Sequence, residues 1–280
     1  NLKTNGFNSR FFRKIIYTAL SEAKQFITEP FDGDMLNRLQ CMPLSQALEC
    51  IHFPSSMDEA YNARKRLAFN ELFFLQYYLH LSRQYIRQTS KQKKPIINTA
   101  TYHAFIKNLP FQLTSDQLQA IEEIINDLNA DFPMNRMLQG DVGSGKTVVS
   151  LIASIAVISR GQQVALMAPT EILAQQHYAT FKKLLPNTIS AALLTGSTSQ
   201  AERKSILDGL KNGSIDIIIG THALIQETVE FANLGLIIID EQHRFGVNQR
   251  AQLRTKGVIP DLLVMTATPI PRSLSLTLYG

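Results

Sequence analysis

One stretch of eight residues, 140–147 (GDVGSGKT), combines three glycines with a lysine and two hydroxyl side chains. Glycines let backbone N–H groups turn inward around phosphate oxygens, and a helix that follows adds the positive end of its dipole. The spacing fits the phosphate-binding pattern G-x-x-x-x-G-K-[ST] at every position. We therefore predict a nucleotide site in which Lys146 contacts the β- and γ-phosphates and Thr147 places its hydroxyl on Mg²⁺. The loop positions expected to surround the phosphates are Gly140, Gly143, Ser144 and Gly145.

Two adjacent carboxylates follow a run of apolar residues at 236–241 (LIIIDE). Many buried strands end in an acid where the chain reaches the surface, so the pair alone is weak evidence of chemistry. A phosphate-binding loop, however, needs a second strand end that supplies an acid for the metal ion. We predict that Asp240 holds Mg²⁺, partly through water, and that Glu241 orients and deprotonates the attacking water as a general base.

A third candidate segment, residues 111–117 (FQLTSDQ), precedes the phosphate loop. A glutamine amide can both donate to and accept from the edge of an adenine base. Phe111 and Gln117 are therefore candidates for binding the base and for distinguishing ATP from GTP. The residues from Thr114 to Gln117 also form an ordinary helix N-cap, and both interpretations stay open at this point.

The elements that must position these residues follow a repeating pattern after residue 111. Six short β-rich runs, apolar on both alternating faces, recur with helical stretches between them: 136–139, 163–168, 191–195, 216–220, 236–239 and 262–266. Strands covered on both sides have this composition, and repeated β–α alternation predicts a parallel, doubly wound sheet. Ligands of such sheets bind beyond the carboxyl ends of the strands, where the phosphate loop and the acid pair lie. We predict an α/β P-loop domain that a helical region precedes.

The first hundred residues show helical periodicity, which predicts one helix over 9–27 and a longer one from about residue 58 to 88. This region is basic. Up to residue 110 the chain has 15 Lys and Arg against 8 Asp and Glu, and after it 13 against 15. A polyanionic partner and a solvated basic face explain this asymmetry equally well. Lys91, Lys93 and Lys94 are the candidates for nonspecific phosphate contacts.

Cysteine usage and hydropathy favour a cytoplasmic location. Cys41 and Cys50 lack the spacing of a metal site and fit reduced thiols. The first residues contain no apolar signal core. The most apolar run, 148–158, has about 11 residues and is too short to span a bilayer, so no membrane partner is expected. Because the chain starts with Asn1, we expect that it is part of a longer protein.

Three further strand ends carry polar segments, at 168–175 (APTEILAQ), 220–224 (GTHAL) and 266–272 (TATPIPR). With the phosphate loop and 240–243 (DEQH), in this order, they resemble motifs I, Ia, Ib, II and III of superfamily 2 helicases, and 111–117 resembles the Q motif of these enzymes. The resemblance implies a grip on a nucleic-acid backbone that does not read sequence. The residues implied in that grip are Pro169, Thr170, Gln175, Gly196, Thr221 and His222. The residues implied in coupling it to the γ-phosphate are Thr266, Thr268 and Arg272, with a catalytic His243 reaching across to them.

Longer stretches resemble one family within this superfamily. Residues 240–250 (DEQHRFGVNQR), 221–226 (THALIQ) and 265–272 (MTATPIPR) closely resemble the RecG family of bacterial ATP-dependent DNA translocases. Upstream, 51–54 (IHFP) and 63–72 (ARKRLAFNEL) look like that family's helical connector. The resemblance implies ATP and Mg²⁺ as cofactors. It also implies branched DNA, such as stalled forks and Holliday junctions, as the partner in repair and recombination.

The same resemblance implies a domain organisation. Residues 1–110 would be the helical connector, after an absent DNA-wedge domain, and 111–280 the first RecA-like motor lobe. A second lobe, which supplies arginines to the γ-phosphate in this family, would begin soon after Gly280. We therefore expect the chain to bind Mg-ATP but to hydrolyse it poorly alone. Two alternatives stay open: the first lobe of a transcription-repair coupling factor, and a non-catalytic fragment that binds nucleotide or DNA passively.

Overall fold

A computed structural model describes residues 9–88, 96–226, 228–241 and 260–267 of the chain. The chain divides between Arg83 and Gln84 into two compact units. The α-helices that begin in the first unit are α1 (Ser9–Ala23), α2 (Gly33–Leu39), α3 (Leu44–His52) and α4 (Met57–Gln88), and a short 3-10 helix at Lys24–Phe26 follows α1. The two helices predicted from periodicity are confirmed as α1 and α4, whereas α2 and α3 were not predicted.

A buried arginine organises the interior of the first unit. Arg66, on α4, is completely buried, and its guanidinium lies 4.9 Å from the centre of the Phe31 ring. It donates hydrogen bonds to Glu29 Oε1 at 2.5 Å, to the Met42 carbonyl at 2.9 Å and to the Asn70 side chain. A buried charge is tolerated only when it is paired and its donors are satisfied. These contacts therefore fix the position of α4 relative to the chain segments that carry Glu29 and Met42.

The second unit is built on a six-stranded sheet in which every pair of neighbouring strands is parallel. The strands are β1 (Asn135–Gln139), β2 (Gln163–Met167), β3 (Ala191–Leu194), β4 (Ile217–Gly220), β5 (Leu234–Asp240) and β6 (Asp261–Thr266). Their order across the sheet is β1-β6-β5-β2-β4-β3. All six predicted runs are strands, and the predicted parallel α/β fold is confirmed.

Both faces of the sheet are covered by apolar side chains. In β2, Val164 and Leu166 point into one core, whereas Ala165 and Met167 point into the other. The first core also contains buried residues of the helices at 115–129, 146–158 and 171–184. Each fully buried aliphatic side chain of this size contributes about 1.5–3 kcal/mol relative to exposure. Burial on both faces explains why the strand runs are apolar without alternation.

The α-helices around the sheet are α5 (Thr99–Lys107), α6 (Ser115–Asn129), α7 (Lys146–Ile158), α8 (Glu171–Leu184) and α9 (Gln200–Asn212), with a 3-10 helix at His222–Ile225. α5 buries Tyr102 and Phe105 in the first core of the sheet. The compact second unit therefore includes α5, although the α/β alternation of the sequence begins only after residue 110. Among the described helices, none combines the length and the apolarity that crossing a membrane requires.

Candidate functional site

The phosphate loop connects the end of β1 to the start of α7, as its pattern requires. Gly143 and Gly145 have φ angles of +83° and +85°, a left-handed conformation that residues with a Cβ adopt only with strain. At Gly140 a Cβ would lie 2.6 Å from Ser144 Oγ, so a residue with a side chain there would require the Ser144 hydroxyl to move. The three glycines therefore shape a turn, and the N–H groups of this turn lie directly before the N-terminus of α7.

The side chain of Lys146 folds back over this loop. Its ammonium group donates hydrogen bonds to the carbonyl oxygens of Gly140 at 2.6 Å and of Asp141 at 2.9 Å. A phosphate oxygen is a charged and therefore stronger acceptor than a carbonyl oxygen. The lysine is thus already held at the loop, where a bound phosphate would compete for the same donor.

Gln117 connects the start of α6 to the phosphate loop. Its side-chain carbonyl accepts from the Thr114 N–H at 3.0 Å, and the Thr114 hydroxyl accepts from the Gln117 N–H at 3.3 Å. This reciprocal pair is a capping box, so the helix-cap interpretation of the sequence is correct. The same amide also donates to the Ser144 carbonyl at 2.8 Å, which ties the cap to the loop. Contact with adenine stays a prediction. Phe111, which is 44% exposed, lines an open pocket of about 560 Å³ with Leu113.

The acid pair lies at the carboxyl end of β5. Asp240 is the last residue of the strand, and Glu241 follows it with a φ angle of +53°. Such a conformation costs a residue with a side chain about 1–2 kcal/mol, and strain of this kind is concentrated at functional sites. Two hydrogen bonds hold it, one to β6 and one to the residue after it: the Glu241 N–H donates to the Met265 carbonyl at 2.9 Å, and Glu241 Oε1 accepts from the Ala267 N–H at 3.1 Å. The general-base candidate is therefore fixed against the end of β6.

The three strand ends around the phosphate loop are joined by backbone contacts. β6 lies between β1 and β5 in the sheet. The Gly140 N–H donates to the carbonyl of Thr266 at 3.3 Å. Gly140, the first residue of the phosphate loop, is therefore adjacent to Thr266, the first of the coupling candidates. Glu241 contacts Ala267, which follows Thr266. This arrangement brings the loop, the acid pair and Thr266 to one part of the sheet edge.

His177, on α8, is a site residue that the sequence analysis missed. Its Nε2 lies 2.7 Å from Asp240 Oδ2, and both residues are only 8% exposed. His177 occupies the buried face of α8 with Ala174 and Phe181, at spacings of three and four residues. A polar residue on that apolar stripe was visible in the sequence. Its partner was not, because the two residues lie 63 positions apart.

The remaining described candidates lie at the ends of β2, β3 and β4 and on α8, beside the other half of the sheet. Thr170 caps α8 by accepting from the Leu173 N–H at 3.3 Å. Glu171, which the sequence analysis did not assign, accepts from the Gly196 N–H and the Ser197 hydroxyl, both at 2.9 Å. This carboxylate joins the start of α8 to the loop after β3. Thr170 and Gly196, two residues predicted to contact the nucleic-acid backbone, are thus brought together.

Solvent exposure separates the nucleic-acid candidates into three groups. Pro169 is half-buried and Thr221 is buried, whereas the other four are exposed: Thr170, Gln175, Gly196 and His222. The Thr221 hydroxyl is buried, and the described part of the chain offers it no hydrogen-bond partner. The exposed group can contact a backbone phosphate directly, whereas Thr221 would first have to become accessible. The candidates His243, Thr268 and Arg272, and the basic Lys91, Lys93 and Lys94, lie outside the described residues.

The donors near the phosphate loop fit a magnesium ion that arrives with a nucleotide. Mg²⁺ prefers oxygen ligands and is usually bound through one or two carboxylates together with substrate phosphates and water. The hydroxyl of Thr147 and the carboxylate of Asp240 are such donors. Within the described ranges, no group of three or more His, Cys, Asp or Glu side chains is placed to hold a metal ion by itself. Thr147 and Asp240 are thus the predicted ligands among the described residues, and a bound nucleotide would supply phosphate oxygens beside them.

Comparison with known proteins connects this site to a family. Residues 114–276 match the model of the DEAD/DEAH box helicase family. The chain is 45% identical to the ATP-dependent DNA helicase RecG of Streptococcus pneumoniae, with 98% of the chain and 41% of that protein covered. It is 46% identical to the RecG protein of Synechocystis, with 99% and 33% covered. A solved structure of RecG bound to a three-way DNA junction matches 98% of the chain and 37% of its own, with a TM-score of 0.81 and 43% identity. The chain thus spans between 33% and 41% of the length of these relatives.

Proposed function

Because the chain belongs to the DEAD/DEAH box helicase family, we propose that it is the ATP-driven motor part of a DNA translocase of the RecG type. The main support is the junction of the phosphate loop, the acid pair and the end of β6, which contact one another through Gly140, Glu241 and Ala267. This arrangement suits phosphoryl transfer from ATP to water, a reaction that depends on positioning and on charge stabilisation.

In the proposed reaction each residue has a separate task. The loop N–H groups and Lys146 bind the phosphates of ATP, and Phe111 packs against the base. Thr147 and Asp240 would hold Mg²⁺, which when bound would offset the negative charge that develops on the phosphate oxygens. Glu241 takes the proton of the attacking water. Glu241 also accepts a hydrogen bond from the Ala267 N–H at the end of β6. A change at the γ-phosphate that moves Glu241 would therefore also move the end of β6.

The proposed partner is branched DNA, such as a fork or a Holliday junction, that the protein contacts through its sugar-phosphate backbone. The support is the exposed group at the ends of β2, β3 and β4, together with the identity to relatives named as DNA helicases. Contacts of this type fix the position of a strand without reading its sequence. Action on DNA in repair and recombination would place the protein in the cytoplasm.

For the chain of 280 residues we propose binding of Mg-ATP with hydrolysis near background. The resemblance places the arginines that stabilise the transition state in a second motor lobe. The domain assignment proposed here is a helical connector up to residue 110 followed by the first motor lobe. Longer RecG proteins would then combine this half-site with a second lobe and a wedge domain.

The proposal is tested by measuring fluorescent ATP binding and phosphate release, with and without a model fork. Lys146→Ala should weaken Mg-ATP binding at least tenfold, and chelation of Mg²⁺ by EDTA should weaken it as well. Glu241→Gln should bind like the unsubstituted chain and remove any turnover that remains. Lys211→Ala, a change at an exposed lysine of α9, is the matched control and should alter neither quantity. Binding that is independent of Lys146 would refute the nucleotide site, and robust fork-stimulated turnover would refute the need for a second lobe.

A further inference from the structure

A buried hydrogen bond joins the proposed metal-binding acid to the helix that begins at the proposed DNA-contacting residues. His177 Nε2 lies 2.7 Å from Asp240 Oδ2, and the two side chains come from α8 and from the end of β5. Both residues are about nine-tenths buried. A short contact between buried polar groups is a specific structural feature, because either group would be costly to bury alone.

The chemistry of the two groups defines the direction of the bond. An ionised carboxylate can only accept hydrogen bonds, so the imidazole Nε2 must donate. The bond occupies Oδ2 and thereby restricts rotation of the Asp240 carboxylate, while Oδ1 stays available to the metal ion or its water. Groups that orient a metal ligand in this way typically change metal affinity by 10–100-fold when they are removed.

The position of His177 on α8 gives the bond a second consequence. α8 starts at Glu171, directly after its cap Thr170, and Glu171 contacts the loop after β3. A helix is a rigid element, so a shift at its first turn is transmitted to His177 about two turns later. A displacement of α8 by a bound strand would therefore reach the Asp240 carboxylate.

We propose that His177 is a positioning residue that fixes Asp240 for Mg²⁺ and connects the DNA-contacting end of α8 to the metal site. This inference rests on the proposed function, because it presupposes that Asp240 holds Mg²⁺ at a nucleotide. It assigns a role in the site to a residue that lies outside the phosphate loop, the acid pair and the strand-end segments.

The experiment measures how the binding of fluorescent ATP depends on the Mg²⁺ concentration in the complete chain. His177→Leu removes the donor and keeps an apolar side chain, so the Mg²⁺ concentration for half-maximal binding should rise about tenfold or more. Its nucleotide affinity in EDTA should equal that of the unsubstituted chain. His177→Gln keeps an amide donor at a similar reach and should restore the Mg²⁺ dependence to within about threefold.

Two further variants separate positioning from packing. Phe181→Leu, on the same buried face of α8, should lower the melting temperature without changing the Mg²⁺ dependence. If His177→Leu does not fold, His177→Asn takes its place in the test. It keeps a polar group that is too short to reach Asp240, so the Mg²⁺ requirement should rise in the same way.

The outcomes distinguish this inference from the function on which it rests. A folded His177→Leu or His177→Asn variant with an unchanged Mg²⁺ dependence overturns the inference alone, as does a Mg²⁺ shift of equal size in Phe181→Leu. Absence of Lys146-dependent binding in the unsubstituted chain overturns the proposed function and this inference with it. A raised Mg²⁺ requirement that His177→Gln reverses supports both.

Discussion

Substitution of Gly145 by alanine provides a sharp test of how the phosphate loop is built. Gly145 has a φ angle of +85°, and a Cβ at this position would collide with the side-chain amide nitrogen of Gln117. Gly143 has nearly the same φ angle, +83°, but a Cβ there would meet nothing within 4 Å. The two glycines therefore separate backbone strain from steric collision within a single loop.

The expected magnitudes follow from these two effects. The left-handed conformation costs an alanine about 1–2 kcal/mol, which applies to Gly143→Ala and Gly145→Ala alike. At Gly145 the collision also displaces the Gln117 amide and breaks its 2.8 Å bond to the Ser144 carbonyl, a further loss of about 1 kcal/mol. Gly145→Ala should therefore reduce the free energy of unfolding by about 2–3 kcal/mol, and Gly143→Ala by about 1–2 kcal/mol.

The assay is urea unfolding followed by circular dichroism, because the chain contains no tryptophan. A double substitution tests the assigned cause. With Gln117→Ala already present, Gly145→Ala no longer produces a collision and should cost only the conformational strain, so the two changes should couple by about 1 kcal/mol. Equal destabilisation by Gly143→Ala and Gly145→Ala, or additive effects of Gly145→Ala and Gln117→Ala, would refute the reasoning.

Two predictions concern the first unit. Glu29→Ala should lower the free energy of unfolding by about 3 kcal/mol in urea titrations, because it leaves the buried Arg66 charge without its carboxylate. Glu49→Ala removes an exposed ion pair and should cost less than about 1 kcal/mol; a similar loss in both variants would contradict this assignment. A hydrogen bond to Glu59 raises the pKa of Cys50 to about 11, with smaller contributions from burial and from nearby carboxylates, so its reactive thiolate is scarce at pH 8–9. Glu59→Gln should lower this pKa and speed alkylation of Cys50 roughly tenfold or more at pH 9, as read by peptide mass spectrometry, and an unchanged rate would contradict the cause.

The sequence predicts most of the sheet and the phosphate loop because both depend on local patterns. Apolar runs covered on two faces identify the strands, and the loop pattern needs only its own glycines, lysine and hydroxyl. The short helix α5 was not predicted. Its role depends on Tyr102 and Phe105 reaching the core of the sheet, and periodicity does not show which core a short helix joins.

Contacts between distant positions explain what the sequence could not provide. Arg66 lies within a long helical pattern where a charged residue normally faces solvent, yet its partner Glu29 lies 37 positions away and draws it into the interior. His177 and Asp240 present the same problem at the site. Gln117 differs because local spacing supported two interpretations. The structure shows the cap and adds a bond to the phosphate loop that neither interpretation included.

The order of the strands gives the site two halves and a boundary between them. β1, β6 and β5 lie side by side and carry the phosphate loop, Thr266 and the acid pair, whereas β2, β4 and β3 carry the proposed DNA contacts. Within the sheet, the two halves meet where β5 lies beside β2. The bond between His177, on the helix after β2, and Asp240, at the end of β5, crosses this boundary through buried side chains. In the proposed translocase, this buried bond would hold the nucleotide half and the DNA half of the sheet edge in a fixed relation, because buried side chains have less rotamer freedom than exposed ones.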